Sequence, residues 1–147
     1  MTKISEKTYK YFSEQLAQRF ELKVKGRKIL SPLPDTLSGV KLVPLSSAEE
    51  VKKIELSVIE DNTIYFYAKS KKQGVYHLLR HFRNCASHKD RITKKQKNGN
   101  SFYQFEDKNK SYVSMRGNVC IDKWDVFIEK LYADALDNSK EADKKTN

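Results

Sequence analysis

The chain has 147 residues, a formal net charge of +10 and 38% hydrophobic residues, enough apolar material for one modest domain. No apolar stretch approaches the roughly 18 residues of a membrane-spanning helix, and residues 1–7 lack the apolar core of a signal peptide. We therefore expect a cytoplasmic protein without membrane contact. Cys85 and Cys120 match no C-x-x-C or zinc spacing, which predicts free thiols.

The first part of the chain predicts a helix and a long loop. The helix begins near Ser5, and four apolar residues at helical spacing form its buried face: Tyr9, Phe12, Leu16 and Phe20. Residues 25–45 contain three prolines and two glycines, which indicates a long connection or a packed lid. A second helix begins with the capping box from Ser47 to Glu50. The apolar run 64–67 fits a buried helical turn or a short strand, and its periodicity does not decide between them.

The second half predicts two helices around a hairpin. The helix after Gly74 has an apolar stripe of Val75, Leu78, Leu79, Phe82 and Ala86. Alternating apolar and polar residues over 101–116 predict a β-hairpin with a polar turn at 107–110. Asp122 caps the last helix, whose apolar face carries Trp124, Phe127, Ile128, Leu131 and Ala135. We predict a mainly α fold over 1–137, a four-helix bundle with a hairpin inserted before the last helix, and a disordered polar tail at 138–147.

Most of the positive charge lies in one segment. Residues 69–97 carry ten basic residues and one acid, Asp90, for a net charge of +9, together with all three histidines. A concentrated basic surface attracts polyphosphate partners, although a lysine-rich face can also serve solubility alone. From this charge and the polar stripe of the third helix we select four candidate RNA-binding residues: Tyr76, Arg80, Lys89 and Arg91.

The end of this helix contains a possible catalytic motif. The sequence from Leu79 to His88 places Arg83, then Asn84, then His88 after a helix-forming apolar run. On a continuous helix, Arg83 and His88 would point about 140° apart. The two side chains can therefore share a pocket only if the helix ends before His88 or if a second copy supplies one of them.

This segment resembles the signature of the HEPN superfamily, in which four to six residues separate an arginine from a histidine and a polar residue directly follows the arginine. The resemblance is strong over 75–90 and looser over 5–136. It implies a metal-independent endoribonuclease of the toxin–antitoxin, phage-defence or RNA-processing type, acting as a homodimer, with an antitoxin or other regulatory protein as a possible partner and no metal or cofactor. His88 would be the general acid–base, Arg83 would hold the scissile phosphate, and Asn84 would orient one of them. The products would carry a 2′,3′-cyclic phosphate and a 5′-hydroxyl.

Structural roles are open for the same residues. Arg83 could pair with an acid such as Glu50, Glu55 or Glu60, and His88 could cap the helix end. The chain could then be an inactive module that binds nucleic acid or a protein. His77 and His81 have the spacing of a metal pair but no third ligand, which favours surface histidines. Cys85 is expected to be buried rather than nucleophilic.

Overall fold

The structure is a computed structural model that describes residues 2–137 and, by their backbone, residues 139–141. The strands of this part of the chain are β1 (Thr2–Lys3), β2 (Arg27–Ile29), β3 (Thr36–Leu37), β4 (Val40–Leu45), β5 (Thr63–Tyr67), β6 (Ile92–Lys97), β7 (Asn100–Asn109), β8 (Tyr112–Cys120) and β9 (Ser139–Glu141). Its α-helices are α1 (Glu6–Phe12), α2 (Arg19–Lys23), α3 (Ala48–Lys52), α4 (Gly74–Ala86) and α5 (Ile121–Asp137). A π-helical segment, Ser13–Gln18, joins α1 to α2. Short 3-10 turns lie at Leu56–Val58, Lys71–Gln73 and Lys89–Arg91.

Seven strands form one mixed sheet in the order β1-β6-β7-β8-β5-β4-β3. Strands β4 and β5 are parallel and are connected through α3, as a parallel pair requires a crossover. The other neighbours are antiparallel, and β6, β7 and β8 follow one another as a meander. A separate pair joins β2 to β9. In the described part of the chain, no helix combines the length and apolar character needed to cross a membrane.

The prediction of a mainly α four-helix bundle is wrong, because the chain folds as an α/β sheet covered by helices. The undecided run 64–67 lies in β5, where Ile64 and Phe66 are fully buried and the tyrosines between them are half-buried. The predicted long loop 25–45 contains β2, β3 and β4. The loose basic stretch after α4 contains β6, which buries Ile92 alone and is held by backbone pairing with β7.

The hairpin expected over 101–116 extends over 100–120 as β7 and β8, and its turn lies at 110–111. Lys110 takes a positive φ of 55° there. The register shifts between Asp107 and Lys108, so that Ser114 of β8 has no partner in β7. Such a bulge re-aims side chains on the strand that carries it. In the polar tail 138–147 predicted to be disordered, Ser139–Glu141 pairs with β2, and the remaining residues lie outside the described part.

An aromatic cluster fixes α1, α4 and α5 on one face of the sheet. Phe105 of β7 contacts Phe12 of α1, Phe82 of α4 and Trp124 of α5, with ring centroids 5.8, 5.0 and 5.1 Å away. All four rings are buried, as predicted for Trp124. Since side chains alternate across a strand, Asp107 faces the same side as Phe105 and therefore meets α4. The packing thus places the polar end of β7 beside the polar stripe of α4.

Candidate functional site

The C-terminal end of α4 carries Arg83, Asn84 and, just beyond it, His88. The helix ends at Ala86, and the backbone N–H groups of Ser87 and His88 bond to carbonyl groups of its last turn. His88 has extended dihedral angles, φ −139° and ψ 115°, and its side chain is exposed. Since His88 leaves the helix, the angular separation expected on a continuous helix does not constrain it. Among the residues that the structure describes, no hydrogen bond joins His88 to Arg83.

Arg83 is held by two side chains. Its Nε and Nη2 lie 3.1 and 2.9 Å from Oε2 of Glu21 on α2, and its Nη1 donates to Oδ1 of Asn84 at 3.3 Å. The partner is thus Glu21 and not one of the acids near α3. A hydrogen bond from Lys25 and the positive charges of Lys25 and Arg83 outweigh partial desolvation and lower the pKa of Glu21. The Arg83 side chain remains 35% exposed, so the pair is open to solvent on one side.

Asn84 connects this surface arginine to a buried polar cluster. Its Nδ2 donates to Oδ2 of Asp107 at 3.2 Å, while its Oδ1 accepts from Arg83. Both ends of the amide are therefore engaged, which fixes its orientation and restricts where the Arg83 guanidinium can lie. The HEPN resemblance implies an orienting role for Asn84, which would act through these two hydrogen bonds.

His81 and Asp107 form a buried pair beneath Asn84. Nδ1 of His81 lies 2.8 Å from Oδ2 of Asp107, and Nε2 lies 2.7 Å from the carbonyl oxygen of Tyr67. Both ring nitrogens are thus engaged with oxygen atoms of neighbouring elements. His81 is 3% exposed, and the prediction of a surface histidine is wrong for this residue because its face of α4 packs against β7.

The Asp107 carboxylate accepts hydrogen bonds from three side chains on two elements, α4 and β8. Besides His81 and Asn84 of α4, it accepts a hydrogen bond at 3.2 Å from Oγ of Ser114, the residue that the bulge adds to β8. Burial opposes ionisation of Asp107, but the hydrogen bonds from His81, Asn84 and Ser114 and the charge of His81 together lower its pKa. All three donors reach Oδ2, and no described residue donates to Oδ1.

A cavity of about 190 Å³ opens above this cluster. Its buried floor includes His81, Asp107 and Ser114. Its lining also includes Tyr67, Arg80, Asn84, Lys108, Asn109 and Tyr112. Arg80 is exposed, and no described residue forms an ion pair or hydrogen bond with its guanidinium. The Tyr112 ring is 55% exposed. The cavity therefore combines a polar floor with a cationic and aromatic rim.

The other residues selected from charge do not reach this cavity. Tyr76 is half-buried, with its ring 5.9 Å from that of Phe20, and Lys89 pairs with Glu6 of α1. The Arg91 side chain is 15% exposed, and its Nε is buried without a hydrogen-bond partner. Of the four candidates, the structure brings only Arg80 to the cavity and to the turn of α4 that precedes Asn84.

The cysteines and the remaining histidine have structural surroundings. Cys85 is buried, and burial raises the pKa of its thiol, as expected for a core residue. Cys120 is half-buried, and both thiols are free. His77 accepts a hydrogen bond from the backbone N–H of Ser70 at 3.3 Å; burial lowers its pKa. In the described part of the chain, no three His, Cys, Asp or Glu side chains cluster as a metal site.

Sequence reasoning missed Asp107, Ser114 and Tyr112. Asp107 was assigned to the turn, although it continues the alternation of Tyr103 and Phe105 along one face of β7. That alternation could have placed its carboxylate on the side of the helices. Ser114 faces the cluster because of a β-bulge, which the local sequence does not predict. The chain matches no protein-family model, no curated protein and no solved structure.

Proposed function

We propose that the protein is a metal-independent endoribonuclease whose reactive groups are Arg83 and His88. The observation that carries this proposal is the chain of hydrogen bonds from Arg83 through Asn84 to Asp107. It anchors a partly exposed arginine from the protein interior, and the exposed His88 follows that arginine by five positions, just beyond the end of the helix. The motif supports this proposal, whereas the α/β fold differs from the four-helix bundle predicted from the helical patterns.

The chemistry needs a base, an acid and a cation at one phosphate. Neutral His88 removes the proton of the ribose 2′-hydroxyl, the 2′-oxygen attacks phosphorus, and the bond to the 5′-oxygen breaks. A protonated imidazole donates a proton to the departing 5′-oxygen. Arg83 stabilises the charge that develops on the phosphoryl oxygens. The products are a 2′,3′-cyclic phosphate and a 5′-hydroxyl. Two His88 side chains, one from each subunit of a homodimer, provide the acid and the base.

The Glu21 pair limits but does not block this role of Arg83. A guanidinium has five N–H groups, and the contacts to Glu21 and Asn84 use the one on Nε and one each on Nη1 and Nη2. One N–H on each terminal nitrogen is left for a phosphate. Since exposed ion pairs are weak, RNA can also compete with Glu21 for the guanidinium.

A second candidate is an RNA-binding module without cleavage. The observation that favours it is the same Glu21 ion pair, because an internal acid partly neutralises the residue assigned to the phosphate. This candidate needs only the cationic surface around Arg80 and the positive charge of residues 69–97. In either form, a regulatory protein that covers the end of α4 would control access to RNA.

The experiment is incubation of a mixed single-stranded and structured RNA pool with the protein in EDTA. We compare the wild type with Arg83→Ala and His88→Ala, and with Lys130→Ala, which removes an exposed positive charge from α5. The nuclease predicts cleavage by the wild type and Lys130→Ala, cyclic-phosphate ends, and loss of cleavage in the other two variants. Salt-sensitive binding without cleavage selects the module. No binding and no cleavage refutes both candidates.

A further inference from the structure

The cavity between α4 and the β7–β8 turn shares Asn84 and Asp107 with the hydrogen bonds that hold Arg83, and the cleavage chemistry described above leaves the cavity itself unused. Its floor is a rigid polar cluster, because His81, Asp107 and Ser114 are each less than 10% exposed and are hydrogen-bonded to one another. Its volume of about 190 Å³ is below the roughly 300 Å³ at which sites for drug-sized ligands begin. A single planar ring system suits this size better than a whole nucleotide.

The floor requires a ligand that donates hydrogen bonds. Both ring nitrogens of His81 are already used, and Oδ2 of Asp107 has three donors. Oδ1 of Asp107 has no donor among the described residues, which leaves one carboxylate acceptor at a cavity that this residue lines. A phosphate placed there would face a negative charge, so an anion is excluded from the floor.

The rim of the cavity favours hydrogen-bond acceptors, in contrast to the floor. Arg80 is exposed without a partner in the described part of the chain, and Lys108 lies at the same rim, 3.2 Å from Glu106. These cations favour the acceptor atoms of a ligand or the phosphates beside it. The half-exposed ring of Tyr112 offers a surface on which a base can stack. The cavity thus requires donors at its floor and acceptors at its rim.

We propose that this cavity binds one guanine base of a single-stranded RNA, with its Watson–Crick edge toward Asp107 and its O6 toward Arg80. Guanine has two adjacent N–H donors on that edge, at N1 and N2. It can therefore donate to a carboxylate without placing one of its own acceptor atoms, whose lone pair would be repelled, beside the carboxylate oxygen. Adenine, cytosine and uracil each place an acceptor next to their donor. Arg80 and Asn84 lie one helical turn apart on α4. The nucleotide whose base is bound would therefore be adjacent, along the RNA strand, to the phosphate near Arg83. The inference rests on the proposed action on RNA.

The test measures binding of fluorescent 2′-O-methyl hexanucleotides, which lack the attacking hydroxyl and therefore remain intact. The sequences are AAAGAA and the same oligonucleotide with A, C, U or inosine at the fourth position. We expect the guanine form to bind at least about tenfold more tightly than the A, C and U forms, equivalent to about 1.4 kcal/mol. Inosine, which keeps N1–H and O6 but lacks the N2 amino group, falls between them.

Three variants assign this preference to the cavity. Asp107→Asn and Tyr112→Ala reduce the guanine preference to less than about twofold, and Tyr112→Ala covers the case in which loss of the buried carboxylate prevents folding. Lys130→Ala keeps the full preference. Equal wild-type affinity for all five oligonucleotides overturns the guanine site and leaves the RNA proposal standing. A preference that survives in Tyr112→Ala and in folded Asp107→Asn also overturns it.

A second measurement separates the base site from RNA binding. Ligand-observed NMR with guanosine and adenosine detects nucleoside binding without any phosphate. Binding of guanosine alone, lost in Tyr112→Ala, supports the cavity even when no oligonucleotide binds, and in that event the proposed action on RNA is the part that fails. If neither guanosine nor any oligonucleotide binds the wild type, both proposals are refuted.

Discussion

The Asn84 amide lies between Arg83 and Asp107, accepting a hydrogen bond from the first and donating one to the second. It therefore connects a charged group at the protein surface to a carboxylate in the core. The contact also joins α4 to β7, two elements whose relative position depends on the packing of Phe82 against Phe105. The position of the Arg83 guanidinium thus depends on how α4 packs against the sheet.

Replacement of Asn84 tests this connection. We expect Asn84→Ala to lower kcat for RNA cleavage about 10- to 100-fold, because the guanidinium of Arg83 loses the contact that orients it. The free energy of unfolding falls by only about 1 kcal/mol, since two half-buried hydrogen bonds are lost. Single-turnover kinetics and urea denaturation measure the two effects. Ser87→Ala, at the exposed residue that directly follows the same helix, serves as the control. Equal loss of activity in both variants would contradict an orienting role for Asn84.

The buried pair of His81 and Asp107 makes the free energy of unfolding depend on pH in the acidic range. Breaking it by Asp107→Asn removes about 3 kcal/mol at pH 7, as for other buried pairs that lose one partner. The pKa of Asp107 is lowered in the folded state, so its carboxylate stabilises the protein above the unfolded value of about 3.9. This contribution is lost as the pH falls through the folded pKa.

Urea midpoints between pH 7 and pH 3 check this prediction. The difference in unfolding free energy between the wild type and Asp107→Asn shrinks below about pH 4, where the carboxylate becomes protonated. Glu129→Gln is the comparison, because the pKa of Glu129 is lowered by an exposed contact to Arg19 and its loss costs at most about 1 kcal/mol. A difference that does not change with pH would show that ionisation of Asp107 is uncoupled from folding.

Gly117 of β8 sets the separation between β8 and β5. A Cβ at this position would lie 2.5 Å from the carbonyl oxygen of Thr63 and 2.6 Å from Cα of Ile64, and backbone atoms cannot move aside as a flexible side chain can. We expect Gly117→Ala to lower the free energy of unfolding by about 3 kcal/mol or more. Gly26→Ala is the matched control, since its Cβ meets nothing within 4 Å and only its φ of +85° opposes the change. That control should cost about 1 kcal/mol. Thermal melts in which the melting temperature of Gly117→Ala equals or exceeds that of Gly26→Ala would contradict the close approach of β8 to β5.

The strongest helical patterns in the sequence were reliable. The apolar stripe from Val75 to Ala86 and the face of α5 around Trp124 are buried as predicted, because each spans several turns with one consistent period. The sheet was less accessible. Strand β6 contains three lysines and one buried residue, so its sequence lacks the apolar alternation that indicates a strand. Strand β5 lies inside the sheet, and the continuous apolar run of such a strand has no periodicity that distinguishes it from a buried helical turn.

The site was predictable only along one helix. Arg83, Asn84 and His88 are close in sequence, and their spacing was visible directly. Their partners come from other elements: Glu21 from α2 and Asp107 from β7. Such contacts depend on how α4 crosses the sheet, which no local pattern specifies. Arg83 does pair with an acid, but the acid is Glu21 of α2 and not one near α3, because α3 packs against β8 and not beside α4.

Removal of Glu21 tests whether Arg83 acts on phosphate. In Glu21→Gln, the guanidinium keeps Asn84 but loses its competing carboxylate, so we expect RNA to bind about two- to fivefold more tightly, the range set by an exposed ion pair of up to about 1 kcal/mol. Glu14→Gln removes an exposed acid from the preceding π-helical segment and controls for the change in net charge alone. Fluorescence anisotropy at low and physiological salt measures both variants. An affinity gain in Glu21→Gln that disappears when Arg83→Ala is added assigns the effect to this guanidinium, because the double variant retains every other basic residue. Equal gains in Glu21→Gln and Glu14→Gln would instead mean that RNA senses only the overall charge, and Arg83 would then lose its assigned role at the phosphate.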